Sequence, residues 1–187
     1  MTDVEAKRLA DEIDDRVIRL QPLLSGLQPR ARVLEIARFL LGTCAIVEPT
    51  GNNDGVPRFL FMDGEWDEVN GRGLPWCAAF AVYCYCRALH SIPGNKYLLR
   101  SCAVILEKAK ELGALLPAGT LPKPGDIMLL YGRRGSDPLS AAGVHHCGIV
   151  ESVDAEQVYS IEGNWGNKLA HAERALSGPA IAGYARF

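Results

Sequence analysis

Apolar residues in the first part of the chain recur every three or four positions, which is the spacing of an amphipathic helix. The first such stripe consists of Ala6, Leu9, Ile13, Val17 and Leu20. Thr2 followed by Glu5 has the pattern of a capping box, so a first helix is predicted from here to about Pro22. A second helix is predicted from Pro29, which suits a first helical position, to a stop at Gly42.

The segment 48–73 breaks this pattern because it is rich in Gly, Asn, Asp and Pro. Long irregular segments often carry function, so we interpret it as a candidate substrate-binding loop. Helical spacing returns at Cys77, which is predicted to lie in the first turn of a third helix that extends to about Leu89. A fourth helix is predicted over residues 98–112, closed by Gly113.

Segments after residue 125 are shorter and richer in strand-forming residues. Strands are predicted over residues 126–131, 144–153, 157–163, 169–175 and 181–187, with a tight turn at 154–156. Helices followed by strands predict an α+β fold in which N-terminal helices pack on a C-terminal antiparallel β-sheet. Because no repeat or linker divides the chain, we expect one domain over 1–187, with a helical extension at 1–28 and a core at 29–187.

The charge balance of the chain is close to neutral. It has 20 Lys+Arg and 22 Asp+Glu residues and a formal net charge of −2, which argues against a nucleic acid or an anionic membrane as partner. Residues 1–12 are acidic and amphipathic, so we expect cytoplasmic synthesis without a signal peptide. In the absence of an export signal, we interpret the six cysteines as reduced.

Cys77 is a candidate nucleophile because the first turn of a helix stabilises a thiolate through unpaired N–H groups and the positive end of the helix dipole. Its base must come from a distant part of the sequence. Taken alone, a cysteine on an apolar helix face is more often a small buried hydrophobic residue than a nucleophile. Position therefore leaves both interpretations of Cys77 open.

Two histidines, His145 and His146, are adjacent in a predicted strand, so their side chains point to opposite faces and only one of them can meet Cys77. On the next strand, Glu162 and Asn164 are predicted to share a face. A base on one strand and an orienting carboxylate or amide on its neighbour form the arrangement that a catalytic triad requires. The alternative places one histidine in solvent, the other in the core, and Glu162 on the solvent face.

Four blocks in chain order carry a resemblance to a known family. They are Pro-Trp-Cys-Ala-Ala-Phe at 75–80, Lys-Pro-Gly-Asp-Ile at 123–127, His-Cys-Gly-Ile-Val at 146–150 and Ile-Glu-Gly-Asn at 161–164. Together they closely resemble the CHAP family of cysteine, histidine-dependent amidohydrolases and peptidases. Residues 48–53 are similar to a loop of the bacterial and phage branch of that family. The resemblance spans about residues 30 to 187 and leaves the first helix outside it.

The resemblance implies a papain-like fold with Cys77 as nucleophile. It implies His146 as base, because the Gly-Ile-Val of the family follows its histidine by one residue, and Glu162 as the orienting group with Asn164 alongside. Most family members cleave cell-wall peptide or the bond that joins sugar to peptide. The implied function is therefore a peptidoglycan amidase or endopeptidase that needs no cofactor and works as a phage lysin, a cell-wall remodelling enzyme or a secreted toxin.

Two alternatives to a wall hydrolase remain open. Some close relatives act on other peptides, including glutathionylspermidine, so the chain could be a cytoplasmic peptidase or amidase of a small peptide conjugate. It could also be a catalytically silent wall-binding module, which the complete triad disfavours. The protein has to reach a wall substrate after export or lysis, so an immunity protein or a delivery apparatus is an expected partner. We expect the protein itself to be a monomer.

Three residues next to the motifs, Trp76, Asn53 and Trp165, are candidate substrate contacts; Trp165 either lines the cleft or closes the sheet edge. We expect no metal site. Cys84 and Cys86 project about 200° apart on a helix and cannot chelate zinc together. The acidic run 63–68 matches a place where some phage members bind calcium, but it lacks EF-hand spacing, so a solvated loop is preferred.

Overall fold

The computed structural model describes residues 1–43, 46–65, 75–89, 101–131 and 143–187. Its helices are α1 (Asp3–Leu20), α2 (Pro29–Leu41), α3 (Gly55–Met62), α4 (Cys77–Leu89) and α5 (Cys102–Glu111), with a 3₁₀ turn at Gln21–Leu24. The predicted capping box of α1 and the predicted start and stop of α2 are confirmed. The expectation of an irregular segment 48–73 is wrong for α3, where Gly55 and Pro57 obscured the helical spacing.

Six strands form one antiparallel sheet in the order β1-β6-β2-β3-β4-β5. They are β1 (Leu115–Pro117), β2 (Ile127–Tyr131), β3 (Val144–Val153), β4 (Gln157–Glu162), β5 (Ala170–Ala175) and β6 (Ile181–Ala185). The boundaries of β3 are as predicted, and the turn after it is held by Asp154, whose carboxylate accepts two backbone N–H groups. The sequence did not predict β1, a short edge strand that pairs with β6.

The helices and one face of the sheet enclose the main hydrophobic core. α4 lies at its centre and is buried on nearly all sides, including Phe80, Ala81, Cys84 and Tyr85. A smaller cluster consists of Met128, Leu130, Val150, Val158, Ile181 and Tyr184. The arrangement confirms the predicted α+β class and is consistent with a papain-like fold. Among the described residues, no helix has both the length and the apolar character to cross a membrane.

Asp126, just before β2, ties the helical layer to the sheet, because the Arg30 guanidinium of α2 lies 3.9 Å from its carboxylate. Its carboxylate is fully buried, accepts the backbone N–H of Lys123 at 2.8 Å and forms an ion pair with Arg186 at 2.7 Å. The Tyr85 hydroxyl of α4 donates to the Gly125 carbonyl at 2.6 Å. Gly125 has a φ of +87°, and a Cβ there would lie 2.5 Å from a backbone oxygen of Arg30, so only glycine fits. The Lys-Pro-Gly-Asp block thus has a structural role.

α1 packs on α3 and contributes Ile13 and Val17 to the main core. Its Asp14 accepts hydrogen bonds from Tyr83 and Arg87 of α4. The helix outside the family resemblance therefore contacts the helix that carries Cys77. The division into an extension at 1–28 and a core at 29–187 stays a prediction.

Candidate active site

Cys77 is the first residue of α4, and the Phe80 N–H bonds to the Trp76 carbonyl at 2.9 Å, in the first turn. The Cys77 side chain is only 5% exposed. Unpaired N–H groups at this helix start favour a thiolate and can also donate to an oxyanion. The predicted position of the sulfur in a first helical turn is therefore confirmed.

Trp76 is buried in the core and is not at the surface, where a substrate contact was expected. Its side chain is fully buried, stacks on Phe61 with ring centroids 5.5 Å apart, and donates its indole N–H to Glu48. A ring with no exposed surface cannot touch a substrate. Its described contacts instead fix how the chain enters α4.

His146 is the histidine that faces Cys77. The two residues are close enough for each to shift the pKa of the other, whereas the His145 side chain is exposed. The Nε2 of His146 lies 2.9 Å from a carboxylate oxygen of Glu162, which leaves Nδ1 for the sulfur. Glu162 is fully buried, so the alternative that places it in solvent does not hold.

The electrostatics of this pair favour its charged form. Hydrogen bonds from the thiols of Cys102 and Cys147 hold the pKa of Cys77 well below its ordinary value, and His146 acts in the same direction, although burial opposes the charge. Burial also opposes the charge on His146, but Cys77 and Glu162 outweigh it and raise the pKa of His146 to about 9. Both shifts therefore favour the thiolate and the imidazolium over the uncharged pair.

Glu162 has two further partners that the sequence did not reveal. Its carboxylate accepts the Ser160 hydroxyl at 2.8 Å and pairs with Arg174 at 3.0 Å. The Arg174 guanidinium lies 4.5 Å from the ring centre of Trp165, which in turn lies 5.6 Å from that of His146. No motif points to Arg174. In the register of β4 against β5, Ala170 lies opposite Glu162, so the even-numbered residues of β5, including Arg174, share the sheet face of Glu162.

A glycine makes room for the carboxylate. A Cβ on Gly148 would lie 2.6 Å from the Cγ of Glu162, closer than any two such atoms can approach. Gly148 is two residues after His146 on β3. The glycine of the His-Cys-Gly-Ile-Val block therefore lets Glu162 approach the sheet beside the imidazole.

Asn164 does not lie where strand alternation predicts. It follows the end of β4 with a left-handed φ of 58°, so it no longer continues the face of Glu162. Its amide donates to the Asn53 side chain at 3.0 Å. The Asn53 backbone N–H bonds to Glu48 at 2.8 Å, and Glu48 accepts the Trp76 indole, so these contacts join the 48–53 loop to the start of α4.

Two further cysteines lie beside the Cys77 sulfur. The Cys102 sulfur lies 3.6 Å from that of Cys77, and the sulfurs of Cys77, Cys102 and Cys147 all lie within 4.8 Å of one another. Hydrogen bonding from Cys147 lowers the pKa of Cys102, but Cys77 and burial outweigh it and hold that pKa well above its ordinary value. Contacts with Cys102 and Cys77, together with burial, also raise the pKa of Cys147. These two thiols are therefore donors to the thiolate.

A groove of about 630 Å³ borders the site. It is lined by side chains of mixed charge that include Glu151, Tyr159, Trp165, His171, Glu173 and Arg174. Trp165, which is 44% exposed, lines this groove, and its ring centre lies 5.6 Å from that of the His146 imidazole. Cys44 and residues 66–68 of the acidic run lie outside the described residues.

Comparison with known proteins gives one family. A model described as the CHAP domain matches residues 69–164, just over half of the chain. The matched stretch contains Cys77, His146, Glu162 and Asn164. No curated protein matches the chain at a significant level.

Proposed function

Because the chain belongs to the CHAP domain family, we propose that it hydrolyses an amide bond in the peptide part of bacterial peptidoglycan, with Cys77 as nucleophile, His146 as base and Glu162 as the orienting carboxylate. Family membership itself indicates a cysteine, histidine-dependent amidohydrolase or peptidase. The bond, the substrate and the role of each residue belong to the proposal.

The observation that carries the proposal is the chain of contacts from Cys77 through His146 to the buried Glu162. An imidazole bound at Nε2 by a carboxylate is held in one orientation, which leaves Nδ1 available to the sulfur. This set of residues fits the nucleophile, base and orienting group that covalent catalysis requires. A structural role for Cys77 alone would not require a buried carboxylate behind its histidine.

The reaction proceeds in two halves. The Cys77 thiolate attacks the amide carbonyl carbon, and backbone N–H groups at the start of α4 support the negative oxygen that forms. The C–N bond then breaks, His146 gives its proton to the leaving amine, and a thioester remains on Cys77. In the second half His146 takes a proton from water, which attacks the thioester and releases a carboxylic acid and the free enzyme.

The groove beside Trp165 supports a peptide substrate. Wall peptides carry carboxylates and amines along a short chain, and the groove offers Arg174 and His171 beside Glu151 and Glu173. The exposed face of Trp165 can pack against the apolar part of such a peptide. Delivery to the wall, by lysis or an export apparatus, and protection by an immunity protein belong to the same proposal.

Mass spectrometry of purified peptidoglycan after incubation tests the function. We expect new free amines and no new reducing sugar ends, because a thiolate attacks carbonyl carbons and not glycosidic carbons. Cys77→Ala should abolish this release, whereas Cys84→Ala, which removes a buried thiol of the same helix, should keep it. Reducing ends would contradict the chemistry. Unchanged wall fragments together with turnover of a soluble peptide conjugate would favour the cytoplasmic alternative.

A further inference from the structure

Three buried sulfurs converge at one point of the fold. Cys77 comes from the start of α4, Cys102 from the start of α5 and Cys147 from β3, and all three side chains are at most 5% exposed. Their sulfurs lie within 4.8 Å of one another. In the part of the chain that the structure describes, no other three side chains of His, Cys, Asp or Glu bring their ligand atoms this close together.

The spacing matches a tetrahedral metal ion better than a disulfide. With Zn–S bonds of about 2.3 Å, the sulfurs of a tetrahedral zinc site lie about 3.8 Å apart. The Cys77 and Cys102 sulfurs are already 3.6 Å apart, close to this edge, whereas a disulfide needs about 2.05 Å between the two sulfur atoms. The other two sulfur–sulfur distances are at most 4.8 Å, so shifts of about 1 Å or less would bring them to the separation found in a tetrahedral zinc site.

His146 is the candidate for a fourth ligand, although its ring nitrogens lie outside the group of three sulfurs that are all within 4.8 Å of one another, so the ring has to move toward the sulfurs to bind the ion. Glu162 occupies Nε2, which leaves Nδ1 available as a ligand atom on a side chain that interacts with Cys77. Histidines that bind metals commonly donate their other ring N–H to a carboxylate, which fixes the ring and strengthens it as a ligand. The buried Glu162, 2.9 Å from Nε2, occupies that position.

We propose that Cys77, Cys102 and Cys147, with His146 as fourth ligand, bind one zinc ion or another thiophilic d¹⁰ cation, and that the bound ion blocks hydrolysis. Three thiolates and one imidazole form a composition typical of closed, four-coordinate zinc sites, which leave no position for substrate. The two neutral thiols and Nδ1 of the charged His146 lose their protons to solvent when the ion binds. Metal binding depends on the geometry alone, whereas the block of hydrolysis rests on the proposed function of Cys77.

Titration of the wild-type protein with cobalt(II) tests the site directly. The protein is kept reduced, freed of metal with a chelator, and carries no histidine tag. One equivalent of cobalt should give sulfur-to-cobalt charge-transfer absorption with the intensity of three thiolate ligands and the visible bands of a tetrahedral ion, and zinc should displace it. A spectrum with fewer than three thiolates, or an octahedral one, would overturn the proposal without any need for a variant.

Variants show which cysteines are involved. Loss of a residue that only hydrogen-bonds to a metal ligand lowers metal affinity by about 10- to 100-fold. Cys102→Ala removes a ligand itself, so it should weaken zinc binding by more than about 100-fold. Cys84→Ala is the matched control, since Cys84 is also a buried cysteine but lies outside the cluster. Wild-type affinity in a folded Cys102→Ala protein would refute the site, and circular dichroism establishes the fold of both variants.

Hydrolysis assays separate this inference from the proposed function. We expect the metal-free enzyme to release amines from peptidoglycan, zinc to stop the release, and a chelator to restore it. If the metal-free protein is inactive on every amide substrate but gives the three-thiolate spectrum, the proposed function fails and the metal site stands. If it is active, and zinc binds with three thiolates but leaves the rate unchanged, the proposed block is refuted.

Discussion

Glu162→Gln removes one buried negative charge beside His146 and keeps a side chain that can accept its N–H. Glu162 is fully buried and lies 2.9 Å from Nε2, and it helps to raise the pKa of His146 to about 9. Loss of an opposite charge at this distance lowers such a pKa by about 1 to 3 units. At 1.36 kcal/mol per unit this is about 1.4 to 4 kcal/mol, or about a 10- to 1,000-fold weaker preference for the charged imidazole.

The direction of the pH effect follows from the raised pKa. In the proposed mechanism the active form carries a charged His146, so activity should be present below the pKa of the imidazole and be lost as pH rises through it. In the variant this basic limb should move from near pH 9 toward neutrality, and the maximal rate should fall. The assay is the pH dependence of kcat/KM for amine release from soluble wall fragments.

Glu156→Gln is the matched control, because it makes the same chemical change in the exposed turn before β4. Its pH profile should overlie that of the wild type. A basic limb that stays in place in a folded Glu162→Gln enzyme would refute the argument that the carboxylate stabilises the imidazolium. A lower rate with an unshifted limb would mean that Glu162 acts by packing alone.

Three further results are expected. Iodoacetamide should alkylate Cys77 faster than Cys102 near neutral pH, as followed by peptide mass spectrometry, because the pKa of Cys77 is lowered while that of Cys102 is raised. In the amine-release assay His146→Ala should remove activity, whereas His145→Ala should lower the rate by less than about twofold, since its side chain points into solvent. Asp126→Ala should lower the free energy of unfolding in urea by about 3 kcal/mol, because it leaves Arg186 without its buried partner; an unchanged midpoint would contradict the structural role of Asp126.

Sequence reasoning worked best where one segment carries its own signal. α1, α2 and α4 have long apolar stripes with recognisable starts, so local periodicity was enough for these helices. α3 has eight residues with a glycine and a proline near its start, and β1 has three residues. Segments this short contain too few repeats of the helical or strand spacing to be recognised. Their contacts with distant parts of the chain decide their structure.

The same distinction holds in the candidate site, between residues that belong to a motif and residues that long-range contacts bring into place. Cys77, His146 and Glu162 could be proposed because each belongs to a motif, and the structure brings them together. Cys102 and Arg174 carry no local signal. Their positions depend on how α5 packs on β3 and how β5 pairs with β4, which are long-range contacts. Asn164 was misplaced because a left-handed residue ends the strand and with it the alternation of side chains.

The buried thiols beside Cys77 connect its reactivity with its sensitivity to metals. A thiolate in a site that is nearly closed to water needs donors in place of the missing solvent, and Cys102 and Cys147 supply them from the core. Alanine at either position would remove a donor and raise the pKa of Cys77, at a cost in reactive thiolate. Yet donors that are themselves thiols become ligands once they lose a proton, whereas hydroxyl donors would not bind a soft cation as strongly. The arrangement that lowers the pKa of the nucleophile is therefore the one that exposes it to capture by zinc.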